Sequence, residues 1–141
     1  MSEHVRSVFR ARMVSANVLP YFETVGVVVD LNTTPDYWST LEFAFATAAR
    51  VSLGFPACFR ETGTVLVHVI ARSGVGDAQA FAYAEDLRSA FDGPYIDDVR
   101  IVVTHPPALS PTDNGNWIDV TVPVDYEFDY VVRAEAVPLA A

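Results

Sequence analysis

The sequence predicts an α+β domain, because segments with the periodicity of helices occur among segments with the patterning of β-strands. Two segments place apolar side chains three or four residues apart, which is typical of amphipathic helices. Several others are rich in β-branched residues or alternate between apolar and polar positions. The chain has 141 residues, 51% of them hydrophobic, which suffices for one domain with its own core. We expect this domain at residues 1–135 and a short flexible tail at residues 136–141.

Both predicted helices have a capping residue and an apolar stripe. Ser2 can cap a first helix that ends near Ser15. The stripe of this helix comprises Val5, Val8, Phe9 and Met13. Asp77 is expected to cap a second helix that runs to about Phe91 and is stopped by the Gly-Pro pair at residues 93–94. Its stripe comprises Phe81, Ala84, Leu87 and Phe91.

Four strands are predicted before the C-terminal part of the chain. They span residues 25–31, 38–45, 64–72 and 99–103. In the second of them, Leu41, Phe43 and Phe45 alternate with polar or small residues, as in a half-buried strand. The third is apolar on both faces, which is typical of a central strand. Between these elements, residues 47–62 and 104–116 are predicted to be long loops.

The last segment, residues 117–132, has the clearest pattern in the sequence. Its even positions are apolar from Ile118 to Val132, which predicts a strand with one buried face. Its odd positions include four carboxylates, here termed the acidic stripe: Asp119, Asp125, Glu127 and Asp129. Alternate residues of a strand are about 6.6–6.8 Å apart, so these carboxylates repel one another unless something compensates. Pro123 lacks a backbone N–H, which favours an edge or a bulge.

Three interpretations of the acidic stripe are open at this point. It can be a solvated outer face that keeps an edge strand from aggregating. It can also line a surface that must not adhere to DNA. The third interpretation is a divalent-cation site, although Ca²⁺ ligands usually converge from a tight loop and not from a straight strand.

Charge is distributed unevenly along the chain. Nine arginines, no lysine and eighteen acids give a formal net charge of −9. Residues 1–76 carry six acids and six arginines, whereas residues 77–141 carry twelve acids and three arginines. Because the cations are not clustered, the composition argues against a protein that binds nucleic acid through its phosphates.

The sequence contains no recognisable catalytic arrangement. Cys58 is the only cysteine, so an intrachain disulfide and a site of paired thiolates are both excluded. The three histidines show no spacing typical of a metal triad or proton relay, and His68 is expected to be structural. No apolar run is long enough for a signal peptide or a membrane span. We therefore expect no enzyme, no cofactor, no metal and no membrane partner.

Several segments together resemble one protein family. They are residues 59–69 (FRETGTVLVHV), the glycine turn at residues 74–76 with the helical residues 84–91, residues 99–103 (VRIVV) and residues 111–126 (PTDNGNWIDVTVPVDY). With the order of the predicted elements, they resemble the small tail terminator, or tail completion, proteins of long-tailed bacteriophages, prophages and gene transfer particles. The resemblance spans most of the chain and includes no catalytic fingerprint.

The resemblance implies a mostly antiparallel β-sheet with two α-helices packed on it, in a single domain that forms a ring oligomer. The implied protein is a structural component of the virion, assembled in the cytoplasm of the bacterial host. It forms a homohexameric ring at the head-proximal end of the tail tube and stops tube polymerisation. Its partners are the tail tube protein and the head-completion or neck proteins, and DNA passes through the ring without specific binding.

Two sets of residues are the expected functional surfaces of such a ring. Part of the acidic stripe is expected to point into the channel or its rim, where negative charge repels DNA. Six copies of −9 give a formal charge of −54 for the ring. Contacts to adjacent subunits and to tail or neck proteins are expected in the two long loops, at Phe55, Pro56, Phe59, Arg60, Pro106, Pro107 and Trp117.

The sequence leaves two alternatives to a tail terminator. One is a neck or head-completion protein of the same particle. The other, from a different class, is a small α+β ligand-binding or hydrolytic domain, which needs a pocket with convergent polar groups. A hexameric ring in solution, or a gene that lies between head-completion and tail-tube genes, would favour the terminator.

Overall fold

The computed structural model describes residues 1–23, 35–52, 57–72, 77–109 and 117–132. These residues form two helices and one six-stranded sheet, which confirms the predicted α+β class. In chain order the elements are α1 (Glu3–Ala16), β1 (Tyr37–Arg50), β2 (Ala57–Arg72), α2 (Ala78–Phe91), β3 (Tyr95–Ile96), β4 (Val99–Thr104), β5 (Ala108–Leu109) and β6 (Trp117–Val132). The strand predicted at residues 25–31 and the tail predicted at residues 136–141 lie outside the described residues.

The sheet is built around its two longest strands. The strand order is β1-β2-β6-β4-β3, and β5 pairs with β6 beyond the end of β4. All pairings between these strands are antiparallel. β2 and β6 pair along their whole length, from Ala57 opposite Val132 to Arg72 opposite Trp117. The predicted strand at residues 64–72 is therefore the second half of a longer strand that lies between β1 and β6.

Helix α1 matches its prediction. The Ser2 hydroxyl accepts a hydrogen bond from the Val5 N–H at 3.4 Å, and all four residues of the predicted stripe are buried. The helix ends at Asn17, whose left-handed backbone (φ 50°) is tolerated by asparagine better than by most residues. The short polar side chain of Asn17 therefore suits the position at which the helix stops.

Helix α2 has the predicted range, but its predicted cap is wrong. Asp77 precedes the helix with helical backbone angles (φ −96°, ψ −18°), and its carboxylate makes no capping hydrogen bond. A side-chain cap requires an extended backbone at this position, which explains the difference. Phe81 is only half-buried, and Ala80 is buried in its place. Among the described residues, no helix is long and apolar enough to cross a membrane.

Both helices cover the same face of the sheet. The core beneath them includes Val65, Val67 and Val69 of β2 and Val120, Val122 and Val124 of β6. Phe9 of α1 lies between two other aromatic rings, at 5.5 Å from Phe91 and 5.7 Å from Tyr126 between centroids. Successive side chains of a strand point to opposite faces, so the alternate residues form a second face, here termed the open face.

The long loop predicted at residues 47–62 is wrong. β1 continues to Arg50 and β2 begins at Ala57, so most of this segment is paired, with Thr47 opposite Thr62 and Arg50 opposite Phe59. The segment 47–50 has one β-branched residue, Thr47, followed by two alanines and an arginine, which is a weak strand signal. Its pairing with β2, which the local sequence does not encode, decides its conformation.

A β-bulge explains why Phe45 differs from its prediction. Phe43 lies opposite Val65 and Phe45 lies opposite Thr64, so Ala44 is an extra residue in β1. The extra residue reverses the alternation. Phe45 therefore lies on the open face with Thr64 and is 60% exposed, whereas Leu41 is buried.

Pro123 lies inside the sheet and not at its edge. β6 has β2 on one side and β4 and β5 on the other. Thr104 of β4 is opposite Val124, and Ala108 of β5 is opposite Thr121, so Pro123 falls between the two short strands. Its carbonyl oxygen accepts a hydrogen bond from the His105 N–H at 2.9 Å. The missing donor thus coincides with the interruption between β4 and β5.

A buried carboxylate connects α1 to the sheet. Glu61 of β2 is 6% exposed and accepts hydrogen bonds from the Ser2 backbone N–H at 3.1 Å and the Tyr126 hydroxyl at 2.5 Å. The helix N-terminus favours the negative charge. Burial, followed by the hydrogen bond and the charge of Glu61, raises the pKa of Tyr126 well above its ordinary value of 10.0. The phenol therefore remains a donor to Glu61 at neutral pH.

Replacement of Gly63 is expected to destabilise the fold. A Cβ at this position would lie 2.4 Å from the Phe45 carbonyl oxygen and 2.9 Å from the Tyr126 ring. Gly63→Ala should lower the free energy of unfolding by about 1–3 kcal/mol, as overpacked sites do, in urea denaturation. Thr62→Ala, one residue away on the open face, is the matched control with a smaller loss. Equal stability of Gly63→Ala and the native chain would contradict the close approach.

Removal of the Tyr126 hydroxyl tests the buried carboxylate. Tyr126→Phe leaves one oxygen of Glu61 without its donor, which should lower the free energy of unfolding by about 1–3 kcal/mol. Tyr95→Phe is the control, because Tyr95 is 61% exposed. Thermal or urea unfolding of the two variants gives the comparison. Equal losses in both would show that the hydrogen bond to Glu61 contributes nothing.

Candidate functional site

The open face of the sheet is the candidate functional site. It carries the acidic stripe, because the even positions of β6 are occupied by core residues such as Val122 and Val124. The register aligns the stripe with alternate residues of β2, with Asp125 opposite Thr64 and Asp129 opposite Arg60. The neighbours of each carboxylate are therefore set by strand pairing.

Two arginines compensate the carboxylates at one end of the stripe. Arg60 of β2 donates two hydrogen bonds to Asp129, from Nε to Oδ1 at 2.9 Å and from Nη2 to Oδ2 at 3.2 Å. Arg100 of β4 donates from Nη1 to Oε2 of Glu127 at 2.8 Å. Arg60 Nε also lies 4.0 Å from this Glu127 oxygen. The side chains thus form a chain of alternating charge across β4, β6 and β2.

Asp125, in the middle of the stripe, has two partners. The Thr64 hydroxyl donates to Oδ1 at 2.7 Å, and His105 Nε2 lies 2.8 Å from Oδ2. Burial alone would raise the pKa of Asp125, but the hydrogen bonds from His105 and Thr64 and the charge of His105 outweigh it. The pKa of Asp125 therefore lies below its ordinary value of 3.8.

Asp119, at the other end of the stripe, contacts the second histidine of this face. His68 Nδ1 lies 2.9 Å from Asp119 Oδ1 and 3.2 Å from the Thr121 hydroxyl. On its other side, His68 Nε2 lies 2.9 Å from Oε2 of Glu42 in β1. The His68 side chain is 14% exposed, so this group is partly shielded from water. The expected structural histidine is thus bound at both ring nitrogens.

The pKa of Asp129, the most exposed carboxylate of the acidic stripe, also reflects charge compensation. Hydrogen bonds from Arg60 hold the pKa of Asp129 below its ordinary value of 3.8, against a smaller opposing effect of burial. The same contact raises the pKa of Arg60. Both groups are therefore charged at neutral pH. The open face behaves as a surface of paired charges and not as an uncompensated acidic strip.

The open face is suited to binding another surface through a fixed pattern of charges. Among the described residues, no group of three or more His, Cys, Asp or Glu could hold a metal ion. The carboxylates of the stripe contact histidine and arginine side chains from neighbouring parts of the sheet. These pairs fix the side chains in place, as a surface with a defined charge pattern requires.

The predicted contact residues do not form one cluster. Phe59 and Arg60 lie in β2, and the Phe59 ring stacks on Tyr130 at 5.6 Å between centroids. Trp117 lies at the opposite end of the β2–β6 pair, with the Arg72 guanidinium 4.8 Å from its ring centroid. Residues 106–107 lie between β4 and β5, whereas Phe55 and Pro56 are outside the described residues.

Exposed apolar side chains lie on both flanks of the open face. Phe45 of β1 and Val102 of β4 are 60% and 49% exposed. They stand on either side of a shallow groove of about 280 Å³, with Thr64 and Asp125 among its other lining residues. The sequence did not reveal this groove, because the bulge that turns Phe45 outward has no local signature.

The compensating partners of the stripe were also missed by sequence reasoning. His68, His105 and Arg100 are remote from the stripe in sequence and meet it only through strand register. The alternation of side chains along β2 could have placed His68 on the face opposite the valines. His68 is at an even position, and the buried residues around it are at odd positions. The partner of each acid still depends on which strands are neighbours.

Comparisons with known proteins provide no name for the site. No protein-family model matches the chain, and the search of curated proteins found no match.

The partners of Asp125 should determine its titration. His105→Gln and Thr64→Val should each raise its pKa toward 3.8, measured by NMR of the side-chain carboxyl carbon. Because the folded pKa is lowered, the stabilisation by these contacts is present above pH 3.8 and is lost as the pH falls through the folded pKa. Thr47→Val, which removes a hydroxyl from the same face without contacting Asp125, is the control. An unchanged pKa in both test variants would contradict the assignment.

Proposed function

We propose that this chain is a structural virion protein that forms a hexameric ring at the head-proximal end of a phage-type tail tube. As a tail terminator, the ring stops tube polymerisation and joins the tail to head-completion or neck proteins. DNA passes through its channel without specific binding. The proposal assigns the chain no catalytic activity and no cofactor.

One observation carries this proposal: the segments that resemble tail terminators make up the middle of the fold. Residues 59–69 lie in β2, and residues 117–126 lie in its partner β6. Residues 84–91 belong to α2, which packs on these strands, and residues 99–103 belong to β4, which pairs with β6. The described parts of the resembling segments are therefore neighbours in space and not scattered matches.

The two flanks of the sheet differ, as the contact surfaces of a closed ring must. Phe45 is exposed on the β1 side. On the other side Val102, Val103 and Leu109 are 49%, 40% and 52% exposed. A heterologous contact joins unlike surfaces of adjacent subunits and closes into a ring when the rotation permits. We assign the contact between subunits to these two flanks, in addition to the residues predicted from the sequence.

The open face is the part of the subunit that we assign to the channel or its rim. Its acidic stripe has four carboxylates, and the partners that contact them are Arg60, Arg100, His68 and His105. The four carboxylates and the two arginines together carry a formal charge of −2 per subunit, compared with −4 for the carboxylates alone. Such a surface repels DNA weakly and offers few unpaired cations to phosphate.

The assembly state tests the ring directly. Six copies of the 15.4 kDa chain should give a mass of about 92 kDa in light scattering and rings in negative stain. With the tail tube protein of the same particle, the rings should bind tube ends and shorten the tubes. A neck protein would leave tube length unchanged. A monomer or dimer that stays so with the tube protein and binds a small ligand would contradict the proposal.

Matched variants separate the flank contacts from general effects on solubility. Phe45→Asp and Leu109→Asp change exposed residues on opposite flanks and should each reduce the mass to that of smaller species. Val14→Asp changes a residue that is 64% exposed on α1, away from the open face, and should leave the mass unchanged. Retention of the full mass by both flank variants would rule out this contact.

A further inference from the structure

His68 joins three strands of the sheet through its two ring nitrogens. It lies in β2, and its nitrogens contact Glu42 of β1 and Asp119 of β6, each at 2.9 Å. Thr121 of β6 is the other polar side chain with a hydrogen bond to the ring. Thr40 of β1 also lies directly opposite His68 in the register of the two strands.

The hydrogen-bond donors and acceptors around His68 favour a charged imidazole. A neutral imidazole has one N–H donor and one acceptor nitrogen, whereas an ionised carboxylate only accepts. Two carboxylates at opposite nitrogens are both satisfied when both nitrogens carry a proton. A neutral ring would place a nitrogen lone pair against one carboxylate, which is repulsive. The geometry therefore matches the imidazolium form.

We propose that His68 is a pH-sensitive tie between β1 and β6: its imidazolium form holds Glu42 and Asp119 together across β2, and deprotonation releases one of them. The tie concerns a single chain and does not depend on ring formation. It also sets the charge of the open face, which becomes one unit more negative for each subunit that loses this proton.

The direction of the pH dependence follows from the same contacts. Burial alone lowers the pKa of His68, but the hydrogen bond and charge of Asp119, followed by those of Glu42, outweigh it and raise the pKa above 6.5. For a raised pKa, the stabilisation is fully present below pH 6.5 and is lost as the pH rises through the folded value. The tie is therefore closed below the folded pKa of His68 and open above it.

NMR titration of the full chain tests the tie at the atoms involved. The ¹⁵N signals of His68, assigned with His68→Gln, should show both nitrogens protonated below the titration midpoint, and the midpoint should lie above 6.5. Glu42→Gln and Asp119→Asn should each lower this midpoint. Asp129→Asn removes the same charge from the same face of β6, ten residues along the chain, and should leave it unchanged. A midpoint at or below 6.5, or equal shifts in all three variants, would overturn the proposal.

The pH dependence of unfolding provides a second test, because a purely structural role of His68 would not make stability depend on pH in this way. The folding equilibrium constant of the native chain, relative to that of His68→Gln, should fall as the pH rises through the His68 midpoint. The fall should be about tenfold for each unit by which the pKa is raised. A ratio that stays constant with pH would overturn the tie. If His68→Gln does not fold, the same ratio is measured with Glu42→Gln.

Discussion

The pairing of β2 with β6 is the constraint on which the rest of the structure depends. Three valine pairs stand directly opposite one another, Val65 with Val124, Val67 with Val122 and Val69 with Val120, and all are buried beneath the helices. Since side chains alternate along a strand, a slip of one residue would turn the acidic stripe toward the helices. Burial of even one unpaired carboxylate costs several kcal/mol, so the valine rows and the stripe specify the same register. The core and the candidate site are thus two consequences of one alignment.

The same alignment changes how the net charge of −9 is understood. The composition indicates only an acidic chain, and the pattern of β6 concentrates four acids on one face. The structure adds that each acid meets a base, hydroxyl or arginine from a neighbouring strand, so the stripe is held in place and largely compensated. If the open face lines a channel, its weak negative charge and its fixed side chains matter more than the total charge of the ring. The proton that we assign to His68 makes that charge dependent on pH.

Features encoded by local periodicity were predictable, and features set by contacts between distant segments were not. α1 and β6 follow from spacing alone, because each carries an unbroken apolar pattern at one period. Glycine and proline at positions 54 and 56 predict a long loop with some extended pieces over residues 47–62, whereas β1 continues to Arg50 and pairs with β2. Pro123 predicts an edge or a bulge, whereas the interruption between β4 and β5 accommodates it inside the sheet. Within the site, the acids were found from the sequence, whereas their partners depend on strand order.

We assign the open face, with Asp125 and Glu127 at its middle, to the channel of a ring. Electron cryomicroscopy of the assembled protein, at a resolution that shows side chains, is the decisive experiment. We expect a sixfold ring in which the β2–β6 face and its carboxylates are directed toward the channel or its rim. A ring with all four carboxylates of the stripe on the outer circumference, or with a lumen lined mainly by arginine, would contradict it.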